Sequence, residues 1–231
     1  MKKLFIFFYN FIENQIHLKR IKFFFINNIF FEKPVIVDIG AHQGKISKIF
    51  NSIYRKSKIY CIEPNKKQNK YLKKVGKNIK IFNYAIGKKS ERLDFYINKI
   101  DLTNSLSKLN TKSIYLKFKN FILKNKEKPP SKKINVKTLD SLCSKKKINK
   151  IDILKIDVEG HEYDVLLGSK KIIKNVNVIL IEIQKNKMYK NYSQKKIYKF
   201  LKKNNFELIQ SFNFPLMFFK DCVFKKKLIS P

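Results

Sequence analysis

Three acids and a histidine crowd into one short stretch of the sequence, KIDVEGHE: Asp157, Glu159, His161 and Glu162. Before them, Ile151–Ile156 is largely apolar and reads as a buried strand; after them the pattern turns helical. Acids gathered at the mouth of a sheet repel one another, and a carboxyl so placed keeps its proton to a higher pH. Such a group can take a proton from a hydroxyl at a reacting centre. Asp157 and Glu159 are the candidates for that role, with His161 as the alternative. Glu162 suits the first turn of the helix, where the dipole favours an acid. Glu182, near the end of the next strand-like run, Val176–Ile183, would stand beside them. A divalent ion between Asp157 and a neighbouring acid is compatible with these residue types. Their spacing is not that of a dedicated metal site, however, and no metal is assigned.

A second constellation lies in VIVDIGAHQGKISKIF, where Gly40 and Gly44, two of only 6 glycines, follow Asp38. A strand running through a glycine turn into a helix is where open α/β sheets bind nucleotides. Two common signatures fail here. A dinucleotide turn needs glycine where His42 and Lys45 stand, and a phosphate loop needs four residues between the glycines rather than three. A phosphate would also be repelled by Asp38. S-adenosylmethionine has no phosphate, and its ammonium and sulfonium suit an acid at the strand end. Glu63, closing the second strand in IYCIEPN, is placed to accept from both hydroxyls of a ribose. Asn104 and Ser105, in DLTNSL, would add polar groups to the same pocket.

The elements that must position these residues alternate. Val35–Ile39, Lys58–Ile62 and Ile79–Phe82 read as strands, with helices over Lys45–Tyr54 and Asn65–Val75. Arg92–Ile97 and Ile134–Lys137 are strand-like, Thr111–Lys124 and Leu139–Lys147 helical, and KNKEKPPSKK a charged loop. The alternation then resumes with strands at Ile151–Ile156 and Val176–Ile183 and helices at Glu162–Lys174 and Gln194–Lys203. It ends in strands at Phe206–Phe212 and Leu216–Phe224 joined by a turn at Asn213–Pro215. The expected fold is α/β, a mostly parallel Rossmann-like sheet ending in an antiparallel hairpin.

The blocks VIVDIGAHQG, CIEPN, NYAIG, TNSL, VKTLDSL, IDILKIDVEGHEYDVLLGSKKII and LIEI, in this order, resemble the FkbM family of S-adenosylmethionine-dependent methyltransferases over residues 34–184. The resemblance implies a class I methyltransferase fold and O-methylation of a sugar, glycan or other small-molecule hydroxyl. It also implies that Asp38, Gly40, Ala41 and Gly44 line the methionine part of the donor, with Glu63 on the ribose. Asn83 and Ala85 would lie near the adenine, and Asp157 would face the methyl group and acceptor. His42, where the family often has Asn, is expected to be a tolerated loop variant. The resemblance leaves the first thirty or so residues and the stretch 99–133 unexplained.

The chain of 231 residues carries a net charge of +35, from 52 Lys and Arg against 17 Asp and Glu. The obvious partner is a nucleic acid, and an RNA-binding protein or RNA methyltransferase is the alternative reading. Yet arginine occurs only at Arg20, Arg55 and Arg92, while Lys, Asn, Ile and Phe abound. All four have A/T-rich codons, and proteins that read bases favour arginine. No RRM, KH or zinc-ribbon signature is present, so a nucleic-acid partner is not expected. Cys61, Cys143 and Cys222 form no C-x-x-C pair, which suits reduced thiols in a cytoplasm. At the amino end, the apolar run Leu4–Tyr9 is too short for a signal peptide or a membrane span. Residues 1–33 read as an extension of two short amphipathic helices before a methyltransferase-like domain at 34–231. Residues 1–31 would cap the domain or rest peripherally on the inner membrane surface.

Overall fold

The computed structural model describes residues 11–97, 104–113, 116, 130–185, 188–214 and 219–227. Its strands are β1 (Val35–Ile39), β2 (Lys58–Ile62), β3 (Ile79–Phe82), β4 (Ala85–Ile86), β5 (Glu91–Tyr96), β6 (Ser131–Lys137), β7 (Ile151–Ile156), β8 (Val176–Gln184), β9 (Phe206–Asn213) and β10 (Phe219–Lys226). The α-helices are α1 (Leu18–Asn28), α2 (Lys45–Ile53), α3 (Asn69–Leu72), α4 (Leu139–Lys146), α5 (Glu162–Leu167) and α6 (Gln194–Lys203).

Seven strands form the central sheet in the order β3-β2-β1-β7-β8-β10-β9. The first five pair in parallel, and β10 runs antiparallel to both β8 and β9. This is the expected fold class. All six residues of β7 are buried, as a parallel strand covered on both faces requires. One layer of helices, α4, α5 and α6, buries Leu139, Val165, Leu166, Ile197 and Leu201 against Val37, Leu154 and Ile181. On the other face Ile21 and Phe25 of α1 and Phe50 of α2 cover Ile36, Ile153 and Leu180. The rings of Phe25 and Phe50 meet edge-on at 4.9 Å.

Several expectations needed correction. The helix expected over Glu162–Lys174 stops at Leu167, because Gly168 packs against the backbone of Gly87. A Cβ added there would lie 2.1 Å from the Gly87 carbonyl oxygen. A 3₁₀ turn, Ile172–Asn175, follows. The helix expected over Asn65–Val75 is a 3₁₀ turn, Lys66–Gln68, and the short α3, since the Asn65 side chain accepts from Lys67 N and caps the turn. The charged loop is partly strand. β6 starts at Ser131 and forms with β4 and β5 a three-stranded sheet, order β4-β6-β5, which the alternation did not announce. Most of the expected helix Thr111–Lys124 lies outside the described residues, as do Pro215 of the expected turn and residues 216–218 of the last strand.

Within the described residues, the amino-terminal region is one helical run in which a π-helical turn, Glu13–His17, leads into α1. No helix among these residues is long and apolar enough to cross a membrane. The three thiols are free and buried.

Candidate active site

The two glycines of the first turn have separate reasons. Gly40 has φ +76°, and a Cβ there would stand 1.7 Å from the Asp157 carbonyl oxygen, so only glycine lets the loop cross the end of β7. Gly44, φ +74°, turns its bare face to Val75 and Leu72 under α3 and does not line the cleft. Gly40 and Ala41 do line it, and their N–H groups donate to the Ile62 carbonyl at 2.9 and 3.2 Å. His42 follows with φ +45°, a left-handed conformation that histidine tolerates better than most residues.

Asp38 lies beneath this loop, wholly buried. It accepts from Ser47 Oγ at 2.5 Å and faces Lys155 Nζ at 3.2 Å. The acid that suggested a cation-binding strand end is therefore packed against a lysine of this chain and does not line the cleft. Lys155 donates also to the Gly40 carbonyl at 2.8 Å and stands 3.4 Å from Asp157. Burial pulls its pKa down, but Asp157 and Asp38 outweigh burial and hold the ammonium charged, above the ordinary lysine range.

Strand register then aligns three acids. Ile39, Ile156, Ile181 and Cys222 pair across β1, β7, β8 and β10, and one position beyond them stand Gly40, Asp157, Glu182 and Asp221. Glu182 and Asp221 are direct cross-strand partners. Like charges so placed destabilise a sheet unless they are shared or neutralised. His17 Nε2, from the turn before α1, lies 2.5 Å from Asp221 Oδ2, and Lys155 serves the other end of the row. Burial raises the pKa of Asp157; Lys155 lowers it and Asp221 raises it further, leaving it above the ordinary value. Glu182 is pushed well up, first by burial and then by Asp157 and Glu159.

The turn after β7 is held by its own acid. Glu162, fully buried, accepts from Val158 N at 3.2 Å and Gly160 N at 3.0 Å, and burial lifts its pKa to about 8. This presents Glu159, φ +55°, to the cleft, where it accepts from the Tyr189 hydroxyl. Gly160, φ +93°, is required because a Cβ would press within 2.4 Å of the Tyr189 ring. One carboxylate oxygen from each of Asp157, Glu159 and Glu182 lies within 4.8 Å of the others. Three oxygens at that spacing could close on a divalent cation, a grouping that chain spacing concealed; Gln184 already donates to Glu182. His161 also lines the cleft. Burial lowers its pKa, so the ring is neutral at neutral pH and able to take up a proton.

Glu63, 6% exposed, reaches the cleft while accepting from His42 N at 2.9 Å and Asn65 N at 2.8 Å, each on a different oxygen. A carboxylate oxygen can accept from more than one donor, as a ribose diol would require. Ala85 and Asn104 line the cleft, beside the apolar surfaces of Ile62, Pro64, Ile86 and Phe95. Asn83 and Ser105 do not. Asn83 donates to the Glu63 carbonyl at 3.0 Å and pairs with Asn69, tying β2 to β3. Ser105 donates to the Glu159 carbonyl at 2.5 Å and fixes the turn from behind.

Sequence reasoning missed Glu13, His17, Lys155, Tyr189 and Asp221. Lys155 carried a signal: a lone lysine inside an apolar strand must find buried carboxylates. Asp221 carried a weaker one, as an acid in the otherwise alternating last strand. Nothing local marks His17 or Tyr189.

Residues 38–208 match the family described as methyltransferase FkbM domain. Among curated proteins, the chain is 26% identical over 166 residues to the 2-O-methyltransferase NoeI of Sinorhizobium fredii. The match spans 68% of this chain and 65% of that relative. Among solved structures, magnesium protoporphyrin IX methyltransferase (ChlM) from Synechocystis PCC 6803 with bound SAM superposes with a TM-score of 0.53 at 10% identity, over 91% of this chain and 78% of that one. The same enzyme with bound SAH gives 0.52 at 9% identity, over 91% and 81%. At such identities the likeness is one of fold. The family match, which spans the glycine turn, Asp157 and Glu182 of the acid row and most of the sheet, shows that the chain belongs to the FkbM methyltransferase domain family.

Proposed function

We propose that the protein is an S-adenosylmethionine-dependent methyltransferase that transfers the methyl group to a hydroxyl of a sugar, glycan or other small polyhydroxyl acceptor. One observation carries the reading. A chain of net charge +35 gathers six of its 17 acids, Glu13, Glu63, Asp157, Glu159, Glu182 and Asp221, around a single cleft. The two lysines there are already engaged, Lys45 with Glu13 at 2.6 Å and Lys155 with Asp38 and Asp157. A cleft of that sign repels nucleotide phosphates and an RNA backbone, and it suits a cationic ligand and hydroxyl groups. The curated relative, a 2-O-methyltransferase by name, supports a hydroxyl acceptor.

The residues fit the cofactor. The Gly40–Ala41 backbone would border its amino-acid part, Glu63 would accept from the ribose, and Ile62, Pro64, Ala85 and Ile86 would flank the adenine. Bound there, S-adenosylmethionine supplies a methyl group activated by a positive sulfur. The chain's own work is alignment and proton removal. Asp157, with its pKa raised in the acid row, accepts the proton of the acceptor hydroxyl; Glu159 and Glu182 hold the hydroxyl in place, and Asn104 adds a polar contact. Neutral His161 is the competing base.

The test is binding followed by turnover. S-adenosylmethionine should raise the melting temperature, and NAD and ATP should not. Labelled methyl should pass to a member of a panel of sugars and glycolipids. A shift with NAD and none with S-adenosylmethionine would sink the proposal.

A further inference from the structure

The outer side of α1 carries an apolar stripe. Phe23 is 71% exposed, Ile26 45% and, just past the helix end, Phe30 76%; Ile16 in the preceding turn is 41% exposed. Steps of seven and three residues place Ile16, Phe23 and Ile26 on one face, and Phe30 lies beside Ile26 past the helix end. The buried residues His17, Ile21 and Phe25 occupy the opposite face, against the sheet. Composition does not account for this placement. Phe and Ile are plentiful along the whole chain, yet five of the seven large apolar side chains exposed among the described residues fall between residues 11 and 30. A shallow groove between Phe30, Ile26 and Ile53 continues the surface toward α2.

We propose that this face of α1 docks on an anionic membrane surface. Lys19 lies within the stripe and Lys22 on its flank, both exposed, so the apolar residues come framed by cations. That is the arrangement by which an interfacial helix reads acidic headgroups while its apolar side chains enter the acyl boundary. Charge decides against the other obvious occupant. A two-fold copy would bring Lys19 and Lys22 of both chains into one apolar interface, between chains that each carry a net charge of +35. The inner side of the same helical run supplies Glu13, His17 and Leu18 to the cleft wall. Docking face and cleft are therefore separated by one helix diameter, about 10 Å. The consequence for the acceptor, which rests on the function proposed above, is that a hydroxyl compound carried on a lipid reaches the cleft at the membrane surface.

The experiment is co-sedimentation of the full chain with vesicles, free of cofactor and acceptor, so its outcome is independent of methyl transfer. Vesicles containing phosphatidylglycerol should carry the protein down, pure phosphatidylcholine should not, and added salt should weaken binding. The combined Phe23→Ser, Ile26→Ser and Phe30→Ser variant should lose at least about tenfold in partitioning, because three side chains no longer enter the apolar layer. Its near-UV circular dichroism should remain unchanged. Lys19→Gln with Lys22→Gln should bind more weakly and with a shallower salt dependence. The proposal is overturned if wild type stays in the supernatant, or if the triple variant partitions as wild type does. A wild-type dimer that the triple variant abolishes, without vesicle binding, would assign the face to a second copy.

Discussion

Glu63 does two things at once: it pins the His42 and Asn65 N–H groups and lines the cleft. Glu63→Gln would set an amide N–H₂ against one of those N–H donors, so it should be no milder than Glu63→Ala. Both should weaken S-adenosylmethionine binding by roughly 1.5–3 kcal/mol, the range for bonds to a charged group. Unchanged affinity by calorimetry would remove Glu63 from the cofactor site. Asp157 should behave differently. Asp157→Asn should cut turnover about 10²-fold or more, the scale of a lost general base, while changing cofactor affinity by less than about tenfold. Because burial, with Asp221 behind it, raises this carboxyl's pKa against the pull of Lys155, wild-type kcat/KM should climb with pH through an apparent pKa above the ordinary carboxylate value. Asp157→Asn should lose that limb. Glu159→Gln tests the neighbouring carboxylate, and His161→Ala should cost less than Asp157→Asn. If His161→Ala alone abolishes turnover, histidine is the base.

At the scale of elements, the turn between β7 and α5 depends on a carboxylic acid that folding keeps neutral. Glu162 sits at about pH 8 in the fold against 4.5 unperturbed. Between those values the unfolded chain has released the proton that the folded chain retains, so the folded state binds more protons and stability falls as pH rises. Below 4.5 both states are protonated and the contribution is constant. Glu162→Gln keeps an oxygen for the Val158 and Gly160 N–H groups and has no charge to bury. It should match wild type near pH 5 and exceed it near pH 8, the gap growing by at most about 1.4 kcal/mol per pH unit. Equal melting temperatures at both pH values would show that Glu162 is not held neutral. Gly40→Ala should be far worse at any pH, since its Cβ cannot share space with the Asp157 carbonyl; loss of the folded state or of cofactor binding is expected. The strand-by-strand alternation, Gly40, Glu63 and the KIDVEGHE turn were legible in the sequence because period and turn chemistry are local. The β4-β6-β5 sheet, the union of Glu182 with Asp221, and the reach of Tyr189 to Glu159 were not, because each depends on register between distant segments. Asp38 was misplaced for a related reason: its partner Lys155 lies on a strand that only the sheet order brings alongside.

For the whole molecule, α1 belongs to the core as well as to the surface. Phe25→Ala should cost about 3–5 kcal/mol, the usual loss for a buried Phe, so deleting the amino-terminal residues would confound any test of membrane docking with loss of stability. Charge acts at the same scale. The chain has 52 cations against 17 anions, and six of the acids line the cleft, so the rest of the surface is strongly cationic. Exposed ion pairs such as Lys33–Glu32 at 3.8 Å and Lys56–Glu32 at 3.5 Å contribute little each. Folding draws the excess lysines together, and their mutual repulsion opposes the compact state. Added salt screens both signs of interaction, but with 52 cations to 17 anions the net effect to be screened is repulsion, while the Lys155–Asp38 pair is too deeply buried to be screened as strongly. Raising sodium chloride from ~10 mM to ~150 mM shortens the screening length from about 30 Å to about 8 Å. The melting temperature should therefore rise over that interval without ligand. A fall would mean that the surface pairs outweigh the net charge, and that the lysine excess is organised rather than scattered.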